Sequence, residues 1–343
     1  MKTNAGRFFE DYRIGDNIHH AVPRTITDGD RALYTSLYPS RHALASSDAF
    51  ALASGLPTAP VDDLIAFHVV FGKTVPDISI NAVANLGYAE GRFLVPVYAG
   101  DTLTSRSEVI GLKQNSNGKS GIVWVRTTGE NQRGETVMTY CRWVMVRKGN
   151  PDAPAPETLV PDLKSCVDAG DLVVPMGLNF AEYDTALAGE PYRFADYEIG
   201  EHIDHVDGVT LTDPEHMMAT RLWQNTAKVH FNVTARPDGN RLIYGGHIIS
   251  MARALSFNGM ANAQRLLAIN AGSHANPAYA GDTVYAGSTI LDKAELGASD
   301  LGALRVRLIA ARQPVAQAAI KDNAGKYLDH ILLDLDCWLL VPR

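Results

Sequence analysis

Asn225 and His230 stand five residues apart, and a little further on Tyr244-Gly245-Gly246 opens a long apolar run. An imidazole can pass protons near neutral pH, whereas a carboxamide can only hold water or a ring in place. From His247 to Met260 the chain is apolar almost all round, through Ile248, Ile249, Met251, Ala252, Ala254, Leu255 and Phe257. That pattern predicts a buried helix rather than an amphipathic surface one. The two glycines leave the first N–H groups of this helix uncovered, where its dipole favours a partial negative charge. The N–H groups of Gly246, His247 and Ile248, with Gly245 beside them, are the expected seat of an oxyanion. Further along the same helix, Ser250 and Ser256 either bond a substrate or pack against backbone. Arg253 needs an anionic partner there, either a substrate carboxylate or an internal Asp or Glu.

The elements that must position these groups occur twice. Phe8–Gly15 returns as Arg193–Gly200, and the same offset of 185 pairs His20 with His205, Thr25 with Thr210 and Asp28 with Asp213. Val97-Tyr-Ala-Gly-Asp-Thr102 returns as Ala278-Tyr-Ala-Gly-Asp-Thr283, so two copies of a whole domain are expected. Each copy reads as a short strand, a helix capped at Thr27-Asp28 or Thr212-Asp213, a loop, a buried helix and then long strands. The boundaries implied are 1–150 and 191–343, with 151–190 a linker that begins in the proline-rich run after Gly149. A helix wrapped by an antiparallel sheet is an α+β architecture.

The offset also sets Ser40 against Asn225 and Ala45 against His230, so the first copy lacks the pair. His42 falls three positions away and reads as a loop residue. The first copy's central helix is expected to start near Asp62 and Asp63, whose carboxylates would repel a developing oxyanion. One site per chain follows, with the first copy shaping its pocket.

The Gly-Asp-Thr closing a strand, the buried central helix and the histidine ahead of it resemble the hot-dog fold of the MaoC-like, (R)-specific enoyl-CoA hydratases, here as a double hot dog. Six segments, Pro23–Thr27, Tyr34–Tyr38, Phe71–Ser79, Arg142–Lys148, Gln224–Asn232 and Tyr244–Ser250, are similar to the mesaconyl-CoA hydratases, also called β-methylmalyl-CoA dehydratases. The resemblance implies a lyase acting on a branched C5-dicarboxylic acyl-CoA thioester, with no metal or redox cofactor. MaoC-like hydratases carry an Asp five residues before the His; this chain has Asn225 there, which shifts the proton transfer to His230. A general (R)-specific enoyl-CoA hydratase, a hot-dog thioesterase using Asp62 or Asp63, and an acyl-CoA-binding protein without turnover are the alternatives.

Composition narrows the partners. The 343 residues are 46% hydrophobic and 20% charged with a net charge of −7 and scattered basic residues, which argues against nucleic acid. No run is apolar enough for a membrane span, and the first residues lack a signal-peptide core, so a cytoplasmic chain is expected. Cys141, Cys166 and Cys337 are spaced like reduced core thiols. His19-His20 and His202-Ile-Asp-His205 read as solvated strand histidines rather than metal ligands. The sequence does not fix the oligomeric state, and a homo-oligomer is compatible with it.

Overall fold

The computed structural model describes residues 2–297, 300–315 and 319–343. Ten strands form one antiparallel sheet: β1 (Asn17–Thr25), β2 (Ala82–Phe93), β3 (Thr102–Gln114), β4 (Ser120–Glu130), β5 (Thr136–Arg147), β6 (His202–Thr210), β7 (Arg265–His274), β8 (Thr283–Glu295), β9 (Leu301–Ala311) and β10 (Ile331–Pro342). Their order is β1-β3-β4-β5-β2-β7-β10-β9-β8-β6, so the second half repeats the first in reverse about the β2–β7 seam. At that seam Tyr88 faces Gly272 and Ala89 faces Ala271. This is the double hot dog.

Four helices matter for the site: α1 (Asp28–Leu37), α2 (Asp63–Thr74), α3 (Asp213–Leu222) and α4 (Gly245–Leu255). Thr27 and Thr212 cap α1 and α3 through the N–H groups of Asp30 and Glu215, as the Thr-Asp pairs suggest. Helices α2 and α4 are the two central helices, buried at nearly every position and packed into one core with both halves of the sheet. Their starts differ. Asp62 caps α2 by accepting from the Leu64 N–H, whereas Tyr244 gives α4 no side-chain cap.

Helix α4 stops at Leu255 rather than running to Met260. Asn258 leaves helical geometry, Gly259 turns at φ 93°, and a separate turn, Phe257–Met260, follows. Glu190 accepts from the N–H groups of Gly259 and Ala261 and holds the break open.

The segment 151–190 is a packed strap rather than a free linker. Val167, Leu178, Phe180, Tyr183 and Ala188 are buried in a cluster with Trp338 and Leu340 of β10. Its proline-rich composition describes only its first few residues, and apolar anchors set the course of the rest.

The repeat is legible in three dimensions. His20 meets Ser107 at 2.8 Å and His205 meets Ser288 at 2.7 Å, while Thr25–Thr102 and Thr210–Thr283 are both 2.8 Å apart. His20 and His205 are therefore buried and hydrogen-bonded rather than solvated. Cys141 and Cys337 are buried free thiols, but Cys166 on the strap is half-exposed. Among the described residues no helix is long and apolar enough to cross a membrane.

Candidate active site

A cavity of about 380 Å³ lies where the start of α4 meets the seam between the halves. His230, at the end of a short 3-10 turn (Lys228–His230), is buried in its wall. Its Nδ1 lies 2.7 Å from the Leu242 carbonyl, which can only accept, so Nδ1 carries the proton and Nε2 keeps its lone pair for the cavity. Burial pushes the imidazole down to about 4, with the Leu242 hydrogen bond acting in the opposite sense. At neutral pH His230 is therefore an uncharged base.

Asn225 lines the same cavity. Its Oδ1 accepts from the Ala227 N–H at 3.0 Å, which leaves the Nδ2 hydrogens as donors. The approach of its loop to α2 is close: a methyl on Gly72 would stand 1.9 Å from the Trp223 carbonyl oxygen and 3.4 Å from the Asn225 nitrogen. Only glycine at 72 lets this loop sit there.

The start of α4 is held by histidines from both halves. His216 on α3 accepts from the Tyr244 N–H at 2.9 Å, and the Tyr244 hydroxyl meets His68 of α2 at 3.3 Å. The Tyr244 carbonyl accepts from the His247 N–H at 2.8 Å. The expected oxyanion donors shift accordingly. His247 is already engaged, so Gly245 and Gly246 supply the open N–H groups, and Gly245 and the Ile248 side chain line the cavity. Packing around the glycines is tight: a methyl on Gly245 would lie 2.4 Å from His274, and one on Gly246 would lie 2.4 Å from the Tyr244 ring.

The first half builds the opposite wall with Phe71, Asn85, Tyr88, Arg142 and Val144. Tyr88 lies 3.1 Å from His274 Nε2 and so ties that wall to the His230 side. Burial, and then the neighbouring His230, push His274 down to about 4.

A family model described as mesaconyl-CoA hydratase matches residues 2–319. The chain belongs to the mesaconyl-CoA hydratase family. A mesaconyl-CoA hydratase of Cereibacter sphaeroides is 66% identical over 343 residues, the whole of both chains. A β-methylmalyl-CoA dehydratase of Chloroflexus aurantiacus is 58% identical, with 100% of this chain and 99% of the relative covered. Among solved structures, a MaoC domain dehydratase of Chloroflexus aurantiacus superposes with a TM-score of 0.98 at 57% identity, over 100% of this chain and 99% of its own.

Three residues expected at the site lie elsewhere in this member of the family. Ser250 accepts from the Tyr34 hydroxyl at 3.2 Å and meets His68 Nε2 at 2.8 Å, which makes it a buried strut between α1, α2 and α4. Among the described residues Arg253 reaches no Asp or Glu within hydrogen-bonding distance. It contacts His42 Nε2 at 2.6 Å, Ser256 Oγ at 3.0 Å and the Ala263 carbonyl. Arg253 and Ser256 are therefore engaged with protein partners, since both lie near the far end of α4 while the cavity is lined by Gly245 and Ile248 at its start. His42 lies in a loop as expected, just before a short helical turn, but it is buried against Phe257.

The corresponding place in the first half is closed. Ala45, Asp62, Asp63, Arg253 and Arg265 surround a void of about 10 Å³, room for about one water. Asp63 is locked by the Arg265 guanidinium and the Leu266 N–H, and Asp62 by Ser40 Oγ at 3.1 Å. Neither carboxylate has space beside it for a thioester.

Sequence reasoning missed His216, His68, His274 and Arg142. A signal existed for His68, a lone imidazole inside the apolar run of α2. None existed for His216, since the 185 offset sets it against Arg31.

Proposed function

We propose that this chain is a hydro-lyase that reversibly hydrates mesaconyl-CoA (2-methylfumaryl-CoA) to β-methylmalyl-CoA in the cavity of the second half. The thioester carbonyl oxygen accepts from the Gly245 and Gly246 N–H groups, which draws electrons out of the C2=C3 bond. Water held by the Asn225 Nδ2 hydrogens gives a proton to His230 Nε2 as its oxygen bonds to C3. The π electrons move to C2 and the carbonyl oxygen as an enolate, which the helix start stabilises as it forms. The imidazolium then returns the proton to C2 from the same face, and the net change is one water added. Dehydration is the same path reversed.

The observation that carries this reading is the pairing of an imidazole whose free nitrogen faces the cavity with an uncapped helix start across it. The arrangement suits conjugate addition rather than hydrolysis, because the carboxylates at a central-helix start, Asp62 and Asp63, border the small void and not the cavity. The test is incubation with mesaconyl-CoA while following the enoyl-thioester absorbance and free thiol together. Loss of absorbance without thiol supports a hydratase. Thiol release means a thioesterase, and no change in either signal means a binding protein.

A further inference from the structure

The cavity is lined by a cation that has no counter-ion among the described residues. Arg142 on β5 is wholly buried and lines the cavity wall. Its Nη2 donates to Thr74 Oγ1 at 2.7 Å, and its Cζ lies 4.3 Å over the Phe71 ring. Its Nε and Nη1 have no hydrogen-bond partner among the described residues. A buried guanidinium without an anion is strongly unfavourable, so a fold keeps one where something else supplies the anion. Two other buried arginines differ in having several acceptors at hand: Arg265 pairs with Asp63, and Arg253 holds three acceptors of its own chain, whereas Arg142 has Thr74 alone.

We infer that Arg142 binds the free carboxylate of the acyl group, the one attached to C3. This rests on the hydratase reading above and adds the residue that selects a dicarboxylic substrate. Arg142 and Gly245 line the same cavity. The Phe71 ring under the guanidinium also packs 5.7 Å, centroid to centroid, from the Tyr244 ring at the start of α4. A single acyl group in this cavity thus has the helix start for its thioester and Arg142 for its carboxylate. Asn85 stands across from Val144, two residues from Arg142, and its amide also lacks a partner. It offers a further donor at the same end of the cavity.

The chemistry gives Arg142 a second effect. Water attacks C3, and an unpaired carboxylate on that carbon repels the incoming lone pair and opposes the electron flow toward the thioester. A guanidinium fork neutralises it through two parallel hydrogen bonds, which a lysine point charge cannot copy. Arg142 is thus a specificity-determining residue that also favours addition at its neighbouring carbon.

The experiment compares two saturated, unreactive ligands by calorimetry: methylsuccinyl-CoA, and 2-methylbutyryl-CoA, in which a methyl replaces the carboxylate. Wild-type protein is expected to prefer the first by about 100-fold or more, the penalty for burying a charge whose partner has been removed. Arg142→Met should abolish the preference by weakening methylsuccinyl-CoA alone, and Arg142→Lys should keep part of it. Parallel loss for both ligands, or a preference that survives Arg142→Met, would overturn the inference. If Arg142→Met does not fold, Arg142→Lys decides: a selective loss supports the assignment, and an unchanged ratio overturns it. Wild type that hydrates mesaconyl-CoA but shows no preference refutes the role of Arg142 alone. A clear preference without hydration refutes the hydratase reading alone.

Discussion

Asn225 shows how one atom decides a role. Its Oδ1 already accepts from the Ala227 N–H, and its amide hydrogens can orient water but not deprotonate it. Asn225→Asp keeps the Ala227 contact and replaces a donor with a carboxylate. It should remain active and move the acid limb of the kcat/KM–pH profile, whereas Asn225→Ala should lose kcat through misplaced water. Equal, complete loss in both would show that the side chain does more than position. Five-residue spacing and the failed repeat at Ala45 pointed to Asn225 and His230 in the sequence, and both line one cavity. Arg142 was not legible, because what marks it is the lack of a partner in three dimensions, and a strand arginine has no such signature in one. Arg253 misled for the converse reason: its neutral partners, His42 and the Ala263 carbonyl, come from chain far away or past the helix end.

At the scale of elements, two buried helices of similar apolarity differ in their first residues. Asp62 closes one start with a side-chain cap, and Tyr244 with its glycines leaves the other open. The apolar run predicted the second helix correctly but not its break, since Asn258 and Gly259 follow the Glu190 contacts from the strap. The strap itself was hidden by its prolines. Helix α2 also sets the position of the Asn225 loop through Gly72. Gly72→Ala puts a methyl against the Trp223 carbonyl, and overpacking of this kind costs roughly 1–3 kcal/mol. Its melting temperature and kcat should both fall, with kcat falling further than in an equally destabilised variant away from the loop. A variant matching wild type in both measurements would show that the loop does not depend on this approach.

Over the whole molecule, duplication gave two central helices in one sheet; on the reading proposed above the second half carries the chemistry, while the first lines part of its cavity and has only a void of about 10 Å³ at its own helix start. The repeat was fully visible in the sequence; which face of each half meets the other was not, because the β2–β7 seam is a pairing of strands far apart in the chain. The buried histidines give the whole fold a pH response. Burial pushes His68 and His216 to about 3 and His205, His230, His247 and His274 to about 4, and also lowers His20 and His42. An unfolded histidine takes up its proton near pH 6.5, so between that pH and about 4 the unfolded chain binds more protons than the folded one. Their stabilising effect is present above pH 6.5 and is lost as pH falls, by about 1.36 kcal/mol per pH unit for each proton taken up. The melting temperature should drop steeply from pH 7 to pH 5, and a flat profile over that range would mean that these rings are not buried and neutral. The central claim, that His230 moves the proton in this cavity, is tested most directly by kcat for mesaconyl-CoA hydration in His230→Ala, with methylsuccinyl-CoA binding measured alongside. The account expects kcat to fall by roughly 10² to 10⁴, the usual worth of a general acid–base group, while the unreactive acyl-CoA binds within a few fold of wild type. A His230→Ala protein that hydrates mesaconyl-CoA at near wild-type rate would contradict it.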